Sequence, residues 1–147
     1  MSSVILFDVD GTLADNSHRQ HLLHGEKKDW DAFFDAQDRD VPNDAIVTLY
    51  KVLCKDGKFE VIVVTARPER YRSKTEEWFA NHQIPFGRML MRADGDRRSD
   101  EIIKKEMLGH LKREGLTPFL VVDDRSGVVE MWREQGITCL QCADHNY

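Results

Sequence analysis

The chain is poor in the features that staple, span or coat. Three cysteines, Cys54, Cys139 and Cys142, in 147 residues are too few for a disulfide framework. That scarcity leads us to expect a reduced, cytoplasmic setting. No stretch approaches the roughly 20 apolar residues of a membrane span. The opening "MSSVILFDVDG" lacks the basic region of a signal peptide, and its apolar run is too short. No membrane partner is therefore expected. Positive charge is not in surplus either: the formal net charge is −5. This argues against a broad basic surface that coats nucleic acid, and leaves open a local grip on one phosphate or one strand end. No G-x-x-x-x-G-K-[ST] stretch occurs, so the residues carry no phosphate loop of the nucleotide-kinase type. Internal repeats, low-complexity tracts and linkers are also missing.

What is present is an alternation of apolar runs and amphipathic segments. A chain of this length reads as one domain, residues 1–147, that can bury about 68–70% of its unfolded surface and needs no metal or disulfide merely to fold. Strands are predicted over 3–10 (SVILFDVD), 58–67 (KFEVIVVTAR), 88–92 (RMLMR), 118–125 (PFLVVDDR) and 137–142 (ITCLQC). Nearly uninterrupted apolar strands suit a parallel sheet covered on both faces. Helical spacing is read in 43–56, with Gly57 placed as a C-terminal cap, in 68–82 opening at Pro68, in 99–114 and in 126–135. The fold class is thus α/β: a Rossmann-like, open, mostly parallel sheet with helices on both faces. Residues 14–43 depart from this rhythm. They are polar, hold two short helical candidates, SHRQHLL and DWDAFFDAQ, and read as a small cap-like helical insert after the first strand.

The charged residues concentrate where such a sheet keeps its sites, at the carboxyl ends of strands. Asp8 and Asp10 close the first strand, Thr65 the second, and Asp123 and Asp124 the fourth. Side chains two apart on a strand share a face, so Asp8 and Asp10 are expected to point together. Four carboxylates at one edge repel unless a cation offsets them. A hard divalent ion such as Mg²⁺, bound by a few carboxylates with phosphate and water, is the natural partner, and zinc is disfavoured by the ligand types. A carboxylate can also attack phosphorus itself, and a second one nearby can move the proton. Scattered turn-forming or helix-capping aspartates are the bland alternative, but they do not account for an ordered set at successive strand ends.

DVDGT (8–12), Thr65, Lys104 and the Asp123–Asp124 pair together resemble the four motifs of the haloacid dehalogenase superfamily of phosphatases. DVDGTL, Arg19, VIVVTAR, RRSDEIIKKEML and VVDDRSGVVEMWRE resemble, more closely, the 3′-phosphatase domain of bacteriophage polynucleotide kinase–phosphatase. That likeness runs from about residue 4 to the C-terminus and is weakest across 14–43. It implies that Asp8 is the nucleophile and Asp10 the acid and then the base. It implies Mg²⁺ on Asp8, the Asp10 backbone carbonyl and Asp124, with Asp123 beside it. Thr65 would bond the phosphoryl group and Lys104 would offset its charge, with Lys105 the alternative lysine. Asp100, one turn before Lys104, would orient it. Arg19 and Arg67 would face the substrate, as would Gly11 and Thr12 of the DVDGT turn.

The implied activity is removal of 3′-phosphates from DNA or RNA ends through an aspartyl-phosphate, beside a possible separate kinase or ligase. A nucleoside monophosphatase or other small-molecule phosphatase is the alternative within the same chemistry, and a catalytically silent binding module the alternative outside it. Two further patterns have bland explanations. Cys139-x-x-Cys142 with His145 suggests a metal site only weakly, and alternation in a terminal strand explains it. Trp30, Phe33 and Phe34 share one helical face, which suits packing onto the body of the domain or, more sharply, a stacking wall for a base.

Overall fold

A computed structural model describes residues 2–145; residue 1 and residues 146–147 of the expected domain lie outside the described part. Five parallel strands form the main sheet, in the order β5-β4-β1-β6-β7. They are β1 (Ser2–Phe7), β4 (Glu60–Pro68), β5 (Arg88–Arg92), β6 (Leu116–Arg125) and β7 (Cys139–His145). The helices between them are α2 (Asp44–Asp56), α3 (Arg72–Asn81), α4 (Asp100–Arg113) and α5 (Ser126–Glu134).

The apolar runs are continuous because both faces of the sheet are covered, and successive side chains sort to opposite sides. Val4, Leu6, Ile62 and Val64 pack against Ile103, Leu111, Val128 and Trp132 of α4 and α5. Ile5, Phe7, Val61 and Val63 meet Val47 and Tyr50 of α2 and Trp78 and Phe79 of α3 on the other face. Gly57 ends α2 at φ 72°, its N–H reaching the Leu53 carbonyl, as the sequence predicts.

Two boundaries differ from expectation, and both bear on the site. β1 ends at Phe7 rather than at residue 10. Asp8 still donates its backbone N–H to Val122, but the chain then folds into a tight turn in which Thr12 and Ala14 both donate to the Val9 carbonyl. Asp8 and Asp10 therefore do not share a strand face. The second difference is at Pro68, which remains in β4 and pairs with Arg92 beyond an irregularity in the β4–β5 register. A 3₁₀ turn, Glu69–Tyr71, precedes α3.

Residues 14–43 hold a two-stranded antiparallel pair, β2 (Ala14–Asp15) with β3 (Val41–Pro42). Between them lie a 3₁₀ helix at Ser17–Leu23 and α1 (Trp30–Asp35), whose N-cap Asp29 accepts the Ala32 N–H. Phe33 and Phe34 bury with Leu23 and Tyr71 in a small apolar core of their own, with half-buried Trp30 packed against it. Among the described residues no helix is long and apolar enough to cross a membrane.

Candidate active site

The carboxyl ends of β1, β4 and β6 and the N-terminal half of α4 converge on one recess beneath α1. Asp8, Asp10, Lys104, Asp123, Asp124 and Arg125 line it, with Trp30, Phe33 and Phe34 along its α1 side.

On one side stands an acidic cluster. Asp8, Asp123 and Asp124 are all buried, and one oxygen of each lies within 4.8 Å of the others. α4 delivers Lys104 to them. Its ammonium donates to Asp8 Oδ1 and to Asp123 Oδ2, each at 2.8 Å. Lys105, the neighbouring alternative, is exposed. Burial works against the charge on Lys104, but Asp123 and Asp8 outweigh it and raise its pKa. One ammonium does not balance three carboxylates. Burial, together with repulsion from Asp123 and Asp124, pushes the Asp8 carboxyl well above the usual range. Burial and repulsion from Asp123 push Asp124 upward too. The cluster thus carries more negative charge than its surroundings stabilise.

Each acid is held by the core around it. The Trp132 indole donates to Asp123 Oδ2 at 3.3 Å, and the Asp124 N–H donates to Asp123 Oδ1 at 2.9 Å. Thr12 Oγ lies 3.1 Å from Asp8 Oδ2 and 3.4 Å from Asp124 Oδ1, so one hydroxyl serves the two carboxylates. Gly11 sits at φ 79° and packs against the Asp124 carboxylate. A Cβ there would land inside the Asp124 carboxylate and 2.7 Å from His145 Nδ1. Its own N–H is spent on the Ala14 carbonyl.

On the other side Asp10 meets a clamp of arginines. Arg19 bonds its Oδ1, and Arg67 reaches it through Nε at 3.1 Å and Nη2 at 2.8 Å. Burial opposes ionisation of Asp10, but the charges of Arg67 and Arg19 overcome it and hold the carboxyl far below the usual range. A second acid, Asp40, completes the group. It accepts from Arg19 Nε at 2.8 Å and Nη2 at 2.6 Å, from Arg67 Nη2 at 3.5 Å, and pairs with His18 Nε2 at 2.6 Å. Arg67 Nη1 is taken up by Gln37 and Thr75, and Arg19 Nη1 by the Phe33 carbonyl.

Several expectations are corrected by this geometry. Arg19 and Arg67 do not present guanidinium groups to the recess. They are 1% and 0% exposed and lie beneath Asp10, held by ion pairs to Asp10 and to buried Asp40. Asp100 does not pair with Lys104. It bonds Arg92 at 2.7 Å and Arg125 at 2.6 Å, while Lys104 turns to the acids that lack other counter-charges. Thr12 faces the Asp8 and Asp124 carboxylates, and Gly11 packs against Asp124. Thr65, by contrast, lies at the carboxyl end of β4 where it is expected, buried, with its Oγ accepting the Arg67 N–H at 3.2 Å. For the Cys-x-x-Cys pattern, where a metal site was only weakly suggested, burial pushes the Cys139 thiol up to about 12 and the Cys142 thiol up to about 11, which disfavours thiolate.

Asp40 and Arg125 at the site escaped the sequence reading, and His145 entered it only beside the two cysteines and not as a partner of Asp124. Asp40 lies in a polar segment with no local signal to mark it. Arg125 directly follows the paired aspartates, so its position was a usable clue. Its guanidinium stands 5.8 Å from the Trp30 ring centroid, at the mouth of the recess.

The model of the polynucleotide kinase PNKP phosphatase domain matches residues 2–147. A chain of a Pnkp1/Rnl/Hen1 RNA repair complex is 29% identical, with a TM-score of 0.84, covering 100% of this chain and 44% of that one. A second Pnkp1/Rnl/Hen1 complex contains a chain 31% identical, with a TM-score of 0.80, covering 100% and 48%. The present chain therefore spans about half the length of these relatives. The fold is shared more widely. A HAD family enzyme from Bacteroides thetaiotaomicron, solved with magnesium and inorganic phosphate, is 12% identical with a TM-score of 0.52, covering 100% of this chain and 98% of that one.

Proposed function

The chain belongs to the family of the polynucleotide kinase PNKP phosphatase domain and is a haloacid dehalogenase phosphatase; from that premise we propose that it is a Mg²⁺-dependent phosphomonoesterase that removes 3′-phosphates from DNA or RNA ends. The observation that carries the reading is the position of Asp8. It sits at the end of the central strand, hydrogen-bonded by Lys104, in a buried three-carboxylate cluster.

In this reading Asp8 attacks phosphorus and the bond from phosphorus to the sugar oxygen breaks. The leaving oxygen takes a proton from Asp10. A water molecule then gives a proton to Asp10, attacks the aspartyl-phosphate at phosphorus and releases inorganic phosphate, restoring Asp8. The arginine clamp holds Asp10 ionised in the resting protein, which suits the base. Arrival of an anionic phosphate opposes that ionisation and favours the proton the acid needs. Arg19 and Arg67 act here by positioning Asp10. Lys104 and the Thr65 hydroxyl are assigned to the transferring phosphoryl group, whose charge spreads over three oxygens. Losing one preorganised donor of this kind costs about 2.7–4 kcal/mol in the transition state.

The residues fit a hard divalent cation. Three buried carboxylates with one ammonium leave an excess of negative charge on oxygen donors, the set Mg²⁺ takes. Asp8, Asp124 and the Asp10 carbonyl would hold it, with Asp123 tied to Lys104 beside them. When bound, it would neutralise charge on the phosphoryl oxygens. Two relatives come from Pnkp1/Rnl/Hen1 complexes, one of them described as an RNA repair complex, which supports a nucleic-acid end as substrate and a separate kinase or ligase as partner.

The α1 residues lining the recess favour one competing reading, the same chemistry on free nucleotides or other small esters, because they limit the space over the acids. Comparing kcat/KM on a 3′-phosphorylated oligonucleotide with that on 3′- and 5′-mononucleotides, with Mg²⁺ and with EDTA, separates the two. The end-healing reading expects the oligonucleotide to be preferred and EDTA to abolish turnover. Preference for free 5′-mononucleotides would reject it.

A further inference from the structure

β7 carries a local irregularity that ends on the acidic cluster. It runs beside β6 in regular register from Val121↔Cys139 to Asp123↔Gln141, and regular pairing would then set Arg125 against Ala143. Arg125 instead pairs with His145. Two extra residues are thus accommodated in β7 opposite Asp124, a bulge of the kind that re-aims a side chain near a site. Without them His145 would lie about 6–7 Å further along the strand.

The bulge places the His145 ring on Asp124, with Nδ1 2.6 Å from Oδ2. The side chain of Asp124 is 1% exposed and that of His145 29%. The same strand fixes the Asp124 backbone, since Gln141 Nε2 donates to its carbonyl at 3.0 Å. Gly11 supplies the room, because a side chain at that position would collide with both Asp124 and His145 Nδ1. Asp124 is therefore gripped from two directions, by the Thr12 hydroxyl near Oδ1 and by the imidazole at Oδ2.

We propose that His145 is a positioning residue for Mg²⁺ binding: its Nδ1–H donates to Asp124 Oδ2 and holds that carboxylate in the orientation in which it would share an ion with Asp8 and the Asp10 carbonyl. The inference rests on the metal site of the proposed function. Groups that orient a metal-binding side chain typically contribute 10–100-fold in metal affinity. His145 belongs to the Cys139-x-x-Cys142…His145 pattern, so the pattern's histidine serves a metal site built from aspartates rather than one built from the two thiols.

The test is direct Mg²⁺ titration of the intact protein by calorimetry, with Tm measured in EDTA, for the parental protein and for His145→Ala, His145→Asn and His145→Gln. An Asn amide places an N–H donor near the position of Nδ1, and a Gln amide places one near Nε2. His145→Ala should bind Mg²⁺ about tenfold or more weakly, with His145→Asn restoring most of the loss and His145→Gln little of it. kcat at saturating Mg²⁺ should stay within about twofold of parental, with the defect confined to the Mg²⁺ concentration required. Unchanged Mg²⁺ affinity in His145→Ala would overturn the inference while leaving the metal site standing, and so would a fall in EDTA Tm without loss of affinity. Equal losses in the Ala and Asn variants would overturn donation from Nδ1. Absence of Mg²⁺ binding by the parental protein would overturn both this inference and the metal site it rests on.

Discussion

Asp8 and Asp10 are separated by one residue and occupy opposite electrostatic settings. Asp8 faces two further buried acids and one lysine, and burial and repulsion raise its pKa. Asp10 faces two buried arginines, and despite burial its pKa is depressed. The difference follows from the turn after Phe7. Had the strand continued, the two carboxylates would have faced one environment and competed for the same counter-charge. The turn sends one toward β6 and α4 and the other toward β4 and the 14–43 segment. A nucleophile and a proton carrier can thereby be tuned separately at adjacent positions. Asp8 sits in a cluster short of positive charge, which a cation would complete. Asp10 sits in a closed group of two acids and two bases that is already balanced.

The largest effect that probes this contrast is on turnover. Asp8→Asn should lower kcat by about a thousandfold or more, without lowering the Tm in metal-free buffer, because it removes a charge the fold does not stabilise. A substantial fall in Tm would mean that Asp8 is balanced in the resting protein. Breaking the other side should act on stability. Asp40→Ala leaves two buried guanidinium groups with only Asp10, and loss of one partner from a buried ionic group costs about 3–5 kcal/mol. Urea unfolding reads this directly, and a cost below about 1 kcal/mol would show the clamp to behave as a surface pair. Gly11→Ala should come next. The left-handed backbone alone costs about 1–2 kcal/mol for a residue with a Cβ, and the displaced Asp124 should reduce Mg²⁺ affinity in the same variant.

The smallest predicted effect is on pH dependence. A carboxyl whose pKa is raised in the folded protein binds its proton more tightly there than in the unfolded chain. Its contribution to stability is full below the unfolded value of about 3.9 and is lost as the pH rises through the folded pKa. Asp124 is such a group. Above about pH 4 the Asp124 contribution to the stability of the metal-free protein should therefore fall as the pH climbs toward neutrality, and Asp124→Asn should remove that slope contribution. The opposite slope contribution would show Asp124 to be stabilised as the anion.

The sheet was legible because strands buried on both faces must be apolar throughout, and runs such as VILF and VIVV have no other ready explanation. The acidic cluster was legible for a related reason, since carboxylates abutting such runs mark strand ends. Partner choice was not legible. Four-residue spacing suggested an Asp100–Lys104 pair, but Lys104 is captured by two buried acids, Asp8 just past β1 and Asp123 on β6, and Asp100 by two arginines, choices made across the sheet rather than along the helix. Asp40 carries no pattern of its own and acquires its role only when residues 14–43 fold over Asp10. His145 reaches Asp124 through a bulge in β7, and spacing along one strand does not reveal a register shift against its neighbour.

The account turns on Asp8 as the nucleophile. Incubation with an oligonucleotide bearing a ³²P-labelled 3′-phosphate, acid quenching within a single turnover and peptide mapping of the protein test this most directly. Label on the peptide containing Asp8, labile to hydroxylamine and absent from Asp8→Asn, is the predicted result; label on another residue, or phosphate release with the Asp8→Asn variant at near-parental rates, would contradict it.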